Sequence, residues 1–281
     1  VKDVDSYELF KPMLANDFTK TPVTSGYTQP KLDGIRCLVN NHGMNSRSGK
    51  PINSCPHIAD ALKDFIKDYP SITLDGELYN HELKSDFQKI VSLVRKVKCR
   101  PEEIAESAEL VEYHIYDMFD ADAPDMPFIE RMHFLVKHLP VDAKIKIVET
   151  AKTDTTADID KMYGEYTEAG YEGQMVRQNT AYECKRSKNL LKRKEFITEE
   201  FEVVNVEEGN GNWSGYAKRF VLKMPNGTTF SSGIRGSQAK LKELLNADTP
   251  NWATCRYFEL SNDGVPRFPV VIDYGYGERD D

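Results

Sequence analysis

The spacing of apolar residues predicts interspersed helices and strands over the first two thirds of the chain. Ile58, Leu62 and Phe65 recur three and four positions apart, which is typical of an amphipathic helix with one packed face. The predicted helices cover residues 57–68, 85–97, 128–138 and 158–169, and another opens at Pro101. The predicted strands cover residues 35–40, 44–47, 71–79, 111–119, 144–148, 173–178 and 189–196. They are too irregularly spaced for a doubly wound series, so the pattern indicates an α+β fold.

The pattern changes after Phe196, where helical spacing nearly disappears. Short β-like runs follow, separated by the turn sequences Pro225-Asn226-Gly227 and Asn262-Asp263-Gly264. The runs cover residues 201–206, 217–224, 228–231 and 255–260, and one helix over 238–245 interrupts them. About five strands and one helix are typical of a small barrel of the OB type. We therefore predict two domains, residues 1–197 and residues 198–281.

Composition predicts a soluble cytoplasmic protein. The chain has 281 residues, of which 40% are hydrophobic and 29% charged, as in ordinary globular proteins. No apolar run approaches the roughly 18 residues of a membrane span, and the sequence lacks a signal-peptide pattern. The five cysteines are scattered and form no CxxC pair. Such usage favours reduced thiols and argues against structural zinc.

Charge is unevenly distributed along the chain. The net charge of −8 by itself counts against a nucleic-acid partner. However, six basic residues and no acid lie between Cys184 and Lys194, and residues 84–100 are also mostly basic. Such patches can bind phosphates locally, although each is equally compatible with an ordinary solvated face.

A possible nucleophile stands in the hexamer Lys31-Leu32-Asp33-Gly34-Ile35-Arg36. Pro30 biases the preceding residue towards extended backbone, which puts Lys31 at a strand end. A lysine amine is a nucleophile once deprotonated, and burial beside other cations favours the neutral form. Gly34 permits a tight turn or close approach of a phosphate, and Arg36 can fold back over the same site. A surface hairpin with ordinary charges explains the hexamer equally well.

Two further sets of charged residues complement a lysine nucleophile. Asp75 and Glu77 share one face of a predicted strand, and carboxylates on nearby strands can hold a divalent metal. Alternation also puts Lys192 and Lys194 on one strand face, with Arg193 opposite. Two ammonium groups facing one pocket depress the pKa of a neighbouring lysine and neutralise a polyphosphate. The combination favours phosphoryl or nucleotidyl transfer.

The hexamer resembles the KxDGxR motif of the covalent nucleotidyltransferases, the superfamily of ATP-dependent DNA ligases, RNA ligases and mRNA capping enzymes. Further elements follow in the family's order: Ser46-Arg47, Leu74-Asp75-Gly76-Glu77-Leu78, the aromatic stretch 113–119, Glu172-Gly173-Gln174-Met175-Val176 and Leu191-Lys192-Arg193-Lys194. The glutamate at position 172 is similar to the EGxMV motif of DNA ligases, whereas capping enzymes typically have DG. The segment from Arg256 to Pro269 resembles the OB ending of small phage ligases.

This resemblance implies a nucleotidyltransferase (ATP-grasp-like ligase) domain with antiparallel sheets and flanking helices, followed by a small OB-fold β-barrel. The implied activity is ATP-dependent sealing of nicks in duplex DNA. The chain leaves no room for the extra N-terminal DNA-binding domain of large cellular ligases, so a minimal, monomeric enzyme of viral type is expected. The alternatives are an RNA ligase, a capping enzyme that uses GTP, and a catalytically silent nucleic-acid-binding protein.

The resemblance assigns the chemistry to three lysines. Lys31 is expected to attack the α-phosphate of ATP and carry AMP covalently. Lys192 and Lys194 are expected to contact the phosphates and offset developing charge. Arg36 and Arg47 are expected to hold the ribose or the nick phosphate, where a planar charged fork is favoured over lysine.

Other expected roles concern the nucleoside and the metal. Glu77 is expected to accept a hydrogen bond from a ribose hydroxyl. Together with Glu172 it is also a candidate ligand of Mg²⁺, which prefers hard oxygen ligands. Tyr116 is expected to stack on adenine, with Tyr113 or Phe119 as alternatives.

Three residues complete the set of expectations. Gln29 is a candidate reader of the adenine amino group through its carbonyl oxygen. Asp75 is expected to be structural rather than a metal ligand. Arg177 is either a surface charge or a phosphate contact, and the sequence does not decide between them.

The last motif of the family departs from its usual form. Arg267-Phe268-Pro269 is present, but the basic residues that should follow it are missing as far as Arg279. This implies slow self-adenylylation, or substitution by Arg267 or Arg279.

Contacts with DNA are expected from the basic residues. A nick has no sequence to read, so phosphate contacts should carry the affinity. The candidates are the basic helix within residues 84–100, the segment 185–188, and a clamp formed by the loop 205–219, which holds Trp213.

Overall fold

The computed structural model describes residues 9–84, 87–194, 196–257, 260–261 and 263–277. The chain forms two compact units. The first comprises Val1–Tyr163 and Tyr171–Arg193, and the second comprises Gly164–Gly170 and Lys194–Asp281. The domain boundary between residues 197 and 198 stays a prediction.

The first unit contains two five-stranded sheets among its described residues. The first sheet has the strand order β1-β10-β9-β2-β8 and the second has the order β4-β3-β5-β6-β7. The strands are β1 (Leu14–Asp17), β2 (Gly26–Lys31), β3 (Ile35–Asn40), β4 (Gly43–Ser46), β5 (Ile72–Tyr79), β6 (Glu112–Asp120), β7 (Ile145–Ile147), β8 (Ala151–Thr153), β9 (Gly173–Arg177) and β10 (Arg186–Arg193). The helices are α1 (Pro56–Asp68), α2 (Phe87–Val94), α3 (Pro101–Leu110), α4 (Phe128–His138) and α5 (Thr156–Glu168), of which α5 continues into the second unit.

The second sheet has one apolar face and one polar face. Cys37 and Val39 on β3 lie opposite Gly76 and Leu74 on β5, and both join the main hydrophobic core. Helices α2 and α4 pack against this sheet, α2 on β3 and β5 and α4 on β6. Because side chains alternate along a strand, the intervening residues, Arg36 among them, project from the opposite face.

The first sheet also has two different faces. Val176 and Leu191 pack with Ile159 of α5 in a small apolar cluster. The alternate positions, including Gln29 and Arg177, contact residues of the second sheet instead. The polar faces of the two sheets are therefore apposed, and several of the predicted site residues project from them.

The second unit contains a closed five-stranded barrel with the order β11-β12-β13-β15-β14. Its elements are β11 (Ile197–Glu208), β12 (Ala217–Lys223), β13 (Thr229–Ile234), α6 (Gln238–Asn246), β14 (Trp252–Tyr257) and β15 (Val270–Gly275). Phe220, Leu222 and Val271 fill the barrel together with Leu241 and Leu244 of α6. The prediction of an α+β fold followed by an OB-type barrel is confirmed.

The structure corrects several predicted elements. Helix α2 ends at Val94, not at residue 97, and the expected stripe residue Val97 is 85% exposed. The predicted strand 189–196 runs instead over Arg186–Arg193. Strands β1, β8 and β15 were not predicted. The first two are short. Strand β15 lies in the apolar run after Pro269, where the sequence indicated only that the family's basic residues are missing.

Candidate active site

Lys31 and Glu172 meet at the point where β2 and β9 run side by side. Lys31 is the last residue of β2 and pairs with Gly173, and the backbone amide of Glu172 donates to the Lys31 carbonyl at 3.1 Å. The Lys31 ammonium forms an ion pair with the Glu172 carboxylate. Both side chains are partly buried, at 19% and 21% exposed. The predicted nucleophile and the predicted metal ligand are therefore direct partners.

Glu77 lies on β5 beside these residues, opposite Arg36 on β3. Burial raises the pKa of Glu77 to about 7, although the charges of Lys31 and Arg36 act in the opposite direction. The Tyr116 hydroxyl donates to Glu77 Oε2 at 3.2 Å. Burial that disfavours the charged form of a carboxylate, in spite of two neighbouring cations, is common at functional sites.

The hexamer alone suggested that Arg36 can fold back over Lys31, but the structure shows its guanidinium hydrogen-bonded within the protein. Its Nε and Nη2 donate to the two carboxylate oxygens of Asp75 at 2.9 and 2.6 Å, and Nη2 also donates to the Met13 carbonyl at 2.9 Å. Asp75 is 1% exposed, which agrees with its expected structural role. The guanidinium is thus held along one edge.

A glycine is required at position 34 by the space available for a side chain and not by its backbone torsion angles. A Cβ at this position would lie 2.3 Å from the carbonyl oxygen of Leu78. The residue therefore permits the close approach of the β5 backbone shortly after Lys31, and the approach of a phosphate to Gly34 stays a prediction.

Of the three aromatic candidates, Tyr116 borders these charged groups. The β6 register moves from Asp117 opposite Asp75 to Ile115 opposite Gly76, so Tyr116 is the bulged residue. Bulges re-aim side chains near functional sites. The Arg36 and Arg177 guanidinium groups lie 5.9 and 5.4 Å from the centroid of its ring.

The alternatives to Tyr116 are occupied elsewhere. Tyr113 is completely buried, and its one hydroxyl hydrogen is shared between the carbonyls of Cys37 and Leu74, at 2.9 and 3.2 Å. Phe119 packs against Phe10 and Tyr182, with centroid distances of 5.5 and 5.7 Å. Tyr113 is therefore a core residue, and Phe119 is a partly buried member of an aromatic cluster.

The reading of adenine by Gln29 stays a prediction, and in this structure the side chain is engaged within the protein. The side chain is 1% exposed, and its carbonyl oxygen accepts from Arg177 Nε at 2.7 Å. Its amide nitrogen donates to the Tyr116 carbonyl and to Thr150 Oγ1, both at 3.0 Å. Gln29 thereby connects the two apposed sheets.

Arg177 is neither a surface charge nor an exposed phosphate contact. It is 3% exposed, and its Nη1 donates to Asp117 Oδ2 at 2.8 Å. Arg131 of α4 is also 3% exposed and donates to both oxygens of Asp117, at 2.8 and 3.0 Å. One buried carboxylate thus serves two buried arginines. The sequence has no local signal for this set, because the three residues come from β6, α4 and β9.

Lys192 shares a face of the first sheet with Lys31. It pairs with Met175, which pairs in turn with Gln29, two residues before Lys31. Arg193 projects from the opposite face, is 2% exposed and donates to Asp160 at 2.8 Å. The predicted alternation is correct for these two residues.

The other predicted basic residues lie outside the strands. Lys194 follows the end of β10 and belongs to the second unit, so its sharing of a strand face with Lys192 is wrong. Arg47 follows β4 and is exposed. Arg267 lies 5.4 Å from the Phe268 ring, and Arg279 lies outside the described residues.

The predicted basic DNA-binding segment 84–100 is partly neutralised by its neighbour, because three of its six basic residues form ion pairs with α3. Lys89 pairs with Glu106, and Lys96 and Arg100 both pair with Glu103. The acids belong to α3, which the sequence showed only as a separate acidic helix. The DNA contact of this segment stays a prediction, and these ion pairs reduce the positive charge that it offers to phosphates.

The other candidate DNA contacts differ from one another. Lys185 is 72% exposed, with Glu183 at 3.6 Å. In the loop after β11, the Lys218 ammonium lies 4.3 Å from the Trp213 ring centroid, and Tyr216 packs edge-on against the same ring. Trp213 is thus packed within its own loop.

The described residues contain no group of three or more His, Cys, Asp or Glu side chains arranged to hold a metal. None of the helices within the described ranges is both long and apolar enough to cross a membrane.

Comparison with known proteins identifies the family. The profile of the ATP dependent DNA ligase domain matches residues 12–194, and that of the DNA ligase OB-like domain matches residues 208–274. The chain belongs to the ATP-dependent DNA ligase family. This decides between the families that the motifs left open, in favour of a DNA ligase over an RNA ligase, a capping enzyme or a silent binding protein.

Individual relatives agree with this membership. The ligase is 26% identical to the DNA ligase of Haemophilus influenzae over 260 residues, which cover 91% of this chain and 89% of the relative. It is 30% identical to the DNA ligase of Archaeoglobus fulgidus over 206 residues, which cover 68% of this chain but 36% of the relative.

Solved structures show the same fold. The ligase resembles the Chlorella virus DNA ligase-adenylate with a TM-score of 0.69 at 22% identity, covering 97% of this chain and 100% of the other. It resembles the bacteriophage T7 ATP-dependent DNA ligase with a TM-score of 0.62 at 17% identity, covering 94% and 98%.

Proposed function

We propose that this ligase seals nicks between a 5′-phosphate and a 3′-hydroxyl in duplex DNA through AMP carried on Lys31. The observation that carries the proposal is the ion pair of Lys31 with Glu172, formed beside Glu77 on the polar faces of two sheets. This arrangement offers an amine, a hydrogen-bond acceptor for its proton, and a second carboxylate.

The first step forms a phosphoramidate. Lys31 Nζ bonds to the α-phosphorus of ATP, and the bond to the bridging oxygen breaks, so that pyrophosphate leaves. The amine must lose a proton to act, and Glu172 is the acceptor already hydrogen-bonded to it. Lys192, on the same sheet face, and Lys194 offset the charge that develops on the phosphates.

The nucleoside is held by the groups around Lys31. Tyr116 stacks on adenine, because its ring borders the site, whereas Tyr113 is buried in the core and Phe119 packs in a separate aromatic cluster. Glu77 accepts a hydrogen bond from a ribose hydroxyl. Arg36 and Arg47 supply positive charge to the ribose or the nick phosphate.

The carboxylates also fit Mg²⁺, the expected metal. Glu172 and Glu77 offer hard oxygen donors, and burial raises the pKa of Glu77 to about 7 even though the charges of Lys31 and Arg36 lower it. When bound, Mg²⁺ neutralises phosphate charge and makes pyrophosphate a better leaving group.

The remaining steps transfer AMP and close the strand. An oxygen of the 5′-phosphate attacks the phosphorus of lysyl-AMP, and Lys31 leaves as the amine. The 3′-hydroxyl then attacks the 5′-phosphorus, releasing AMP and forming the phosphodiester. The exposed segment 185–188 is the proposed phosphate contact on the first unit.

The organisation of the protein is also proposed. Residues 1–197 form the adenylation domain and residues 198–281 the OB domain. The ligase acts in the cytoplasm as a monomer, which size-exclusion chromatography at working concentration tests.

One experiment tests the proposal. The protein is incubated with Mg²⁺ and ATP or GTP labelled at the α-phosphate, and nicked DNA or nicked RNA is then added. Covalent label from ATP, absent in Lys31→Ala and discharged by nicked DNA with sealing, is expected. Label from GTP alone, label that persists in Lys31→Ala, or discharge by RNA alone contradicts the proposal.

A further inference from the structure

We propose that Tyr182 is a positioning residue for Arg36, because its hydroxyl holds both groups to which that guanidinium is anchored. The inference rests on the proposed role of Arg36 in binding ribose or nick phosphate. Tyr182 itself lies on the segment between β9 and β10 and makes no contact with the Lys31–Glu172 pair among the described residues.

The four groups form a closed hydrogen-bonded ring. Tyr182 Oη donates to Asp75 Oδ2 at 2.7 Å and accepts from the backbone amide of Met13 at 2.9 Å. Arg36 Nη2 donates to the same Asp75 oxygen at 2.6 Å and to the carbonyl of Met13 at 2.9 Å. Tyr182 and Arg36 are thus connected twice, once through a carboxylate and once through a single backbone residue.

The Tyr182 hydroxyl is used both as a hydrogen-bond donor and as an acceptor. A phenol has one hydrogen to donate, and that hydrogen goes to Asp75. Met13, Asp75 and Tyr182 are 3%, 1% and 5% exposed, so water does not easily replace a lost partner. Phe10 and Phe119 enclose the tyrosine ring at centroid distances of 6.0 and 5.7 Å.

This anchoring matters because an arginine side chain otherwise samples many rotamers. Nε and Nη2 of Arg36 are both used within the protein, and no described residue accepts a hydrogen bond from Nη1. With the side chain 18% exposed, one edge is fixed and the other is available to an anion. Fixing the donor before the ligand arrives removes an entropic cost of binding.

The test is Tyr182→Phe, which removes the hydroxyl and keeps the ring. With ¹⁵N-labelled arginine, the solvent exchange of the Arg36 Nε proton is measured, its signal being assigned by its absence in Arg36→Lys. We expect exchange to become about tenfold faster, in line with the loss of one hydrogen bond to a charged group. Single-turnover rates of lysyl-AMP formation, DNA adenylylation and sealing should fall in the steps that Arg36→Lys also slows.

Tyr113→Phe is the matched control. It removes another fully buried tyrosine hydroxyl, but one whose hydrogen-bond partners are the carbonyls of Cys37 and Leu74 and not Asp75, Met13 or Arg36. It should lower the melting temperature without changing Arg36 exchange or the rate profile. The inference is overturned if Tyr182→Phe leaves the exchange rate of the Arg36 Nε proton unchanged, or if Tyr113→Phe accelerates that exchange equally. It is also overturned if Tyr182→Phe slows a reaction step that Arg36→Lys does not slow. The exchange measurement needs neither ATP nor DNA. It therefore tests the positioning of Arg36 independently of the proposed function.

Discussion

Lys31 and Glu172 lie 141 positions apart in the chain and form an ion pair at adjacent ends of β2 and β9. The backbone hydrogen bond between the same two residues, at 3.1 Å, ties the carboxylate to the strand that carries the amine. Any movement of the Lys31 amine towards a phosphate must therefore begin by loosening this pair.

Replacing Glu172 should affect the first step most directly. Glu172→Gln keeps the size of the side chain but loses the charge that accepts the lysine proton. We expect lysyl-AMP formation to slow about 10²-fold, which is the usual contribution of a general base. The measurement is the rate of covalent labelling with α-labelled ATP. Glu130→Gln, an exposed change on α4, is the control and should label at the wild-type rate. Equal rates in the two variants would contradict the role of Glu172.

Stability should depend on pH through Glu77. Its pKa is about 7 in the folded protein against an ordinary value of 4.5, so the folded state binds the proton more tightly. The resulting stabilisation is complete below pH 4.5 and is lost as pH rises through 7. The change in the free energy of unfolding caused by Glu77→Gln should therefore be more stabilising at pH 8 than at pH 5, by roughly 1–3 kcal/mol.

Urea unfolding of the nucleotide-free protein at the two pH values checks the effect of Glu77→Gln. The same variant should weaken ATP binding, because it loses the proposed acceptor for a ribose hydroxyl. A stability difference that does not change with pH would show that Glu77 ionises normally.

The buried Asp117 network should be costly to break. Asp117→Asn leaves Arg131 and Arg177 as buried cations without a countercharge, since both depend on this carboxylate. We expect a loss of about 3–5 kcal/mol in the free energy of unfolding. Asp122→Asn, an exposed change just after β6, is a suitable control and should be nearly neutral. Equal stability of the two variants would mean that the network contributes little.

Salt dependence of DNA binding should distinguish the two basic segments. Lys89→Ala with Lys96→Ala removes charges already paired with Glu106 and Glu103, so the slope of log affinity against log salt should stay unchanged. Lys185→Ala with Lys188→Ala should lower the slope by about 0.9 for each lost phosphate contact. Fluorescence anisotropy with a nicked duplex measures both. If only the Lys89→Ala, Lys96→Ala variant lowered the slope, the DNA contact would lie on the segment 84–100 and not on 185–188.

The sequence alone determined the parts of this protein that depend on local spacing. Periodicity predicted α4 at its exact bounds and α1 to within a residue, because a helix or strand with one buried face repeats its apolar residues at a characteristic interval. Motif order singled out Lys31, Glu172 and Lys192 as candidate site residues, since each stands in a short segment whose residues can be recognised together.

Only the tertiary structure decided how the charged residues are used. Arg36, Gln29 and Arg177 look equally available in the sequence, yet the apposition of two sheets gives each a fixed partner. The bulge that aims Tyr116 likewise depends on the register between β5 and β6. Such pairings join residues far apart in the chain, and local periodicity carries no information about which strands become neighbours. Burial then makes each pairing obligatory, because an unpaired charge between the sheets costs several kcal/mol.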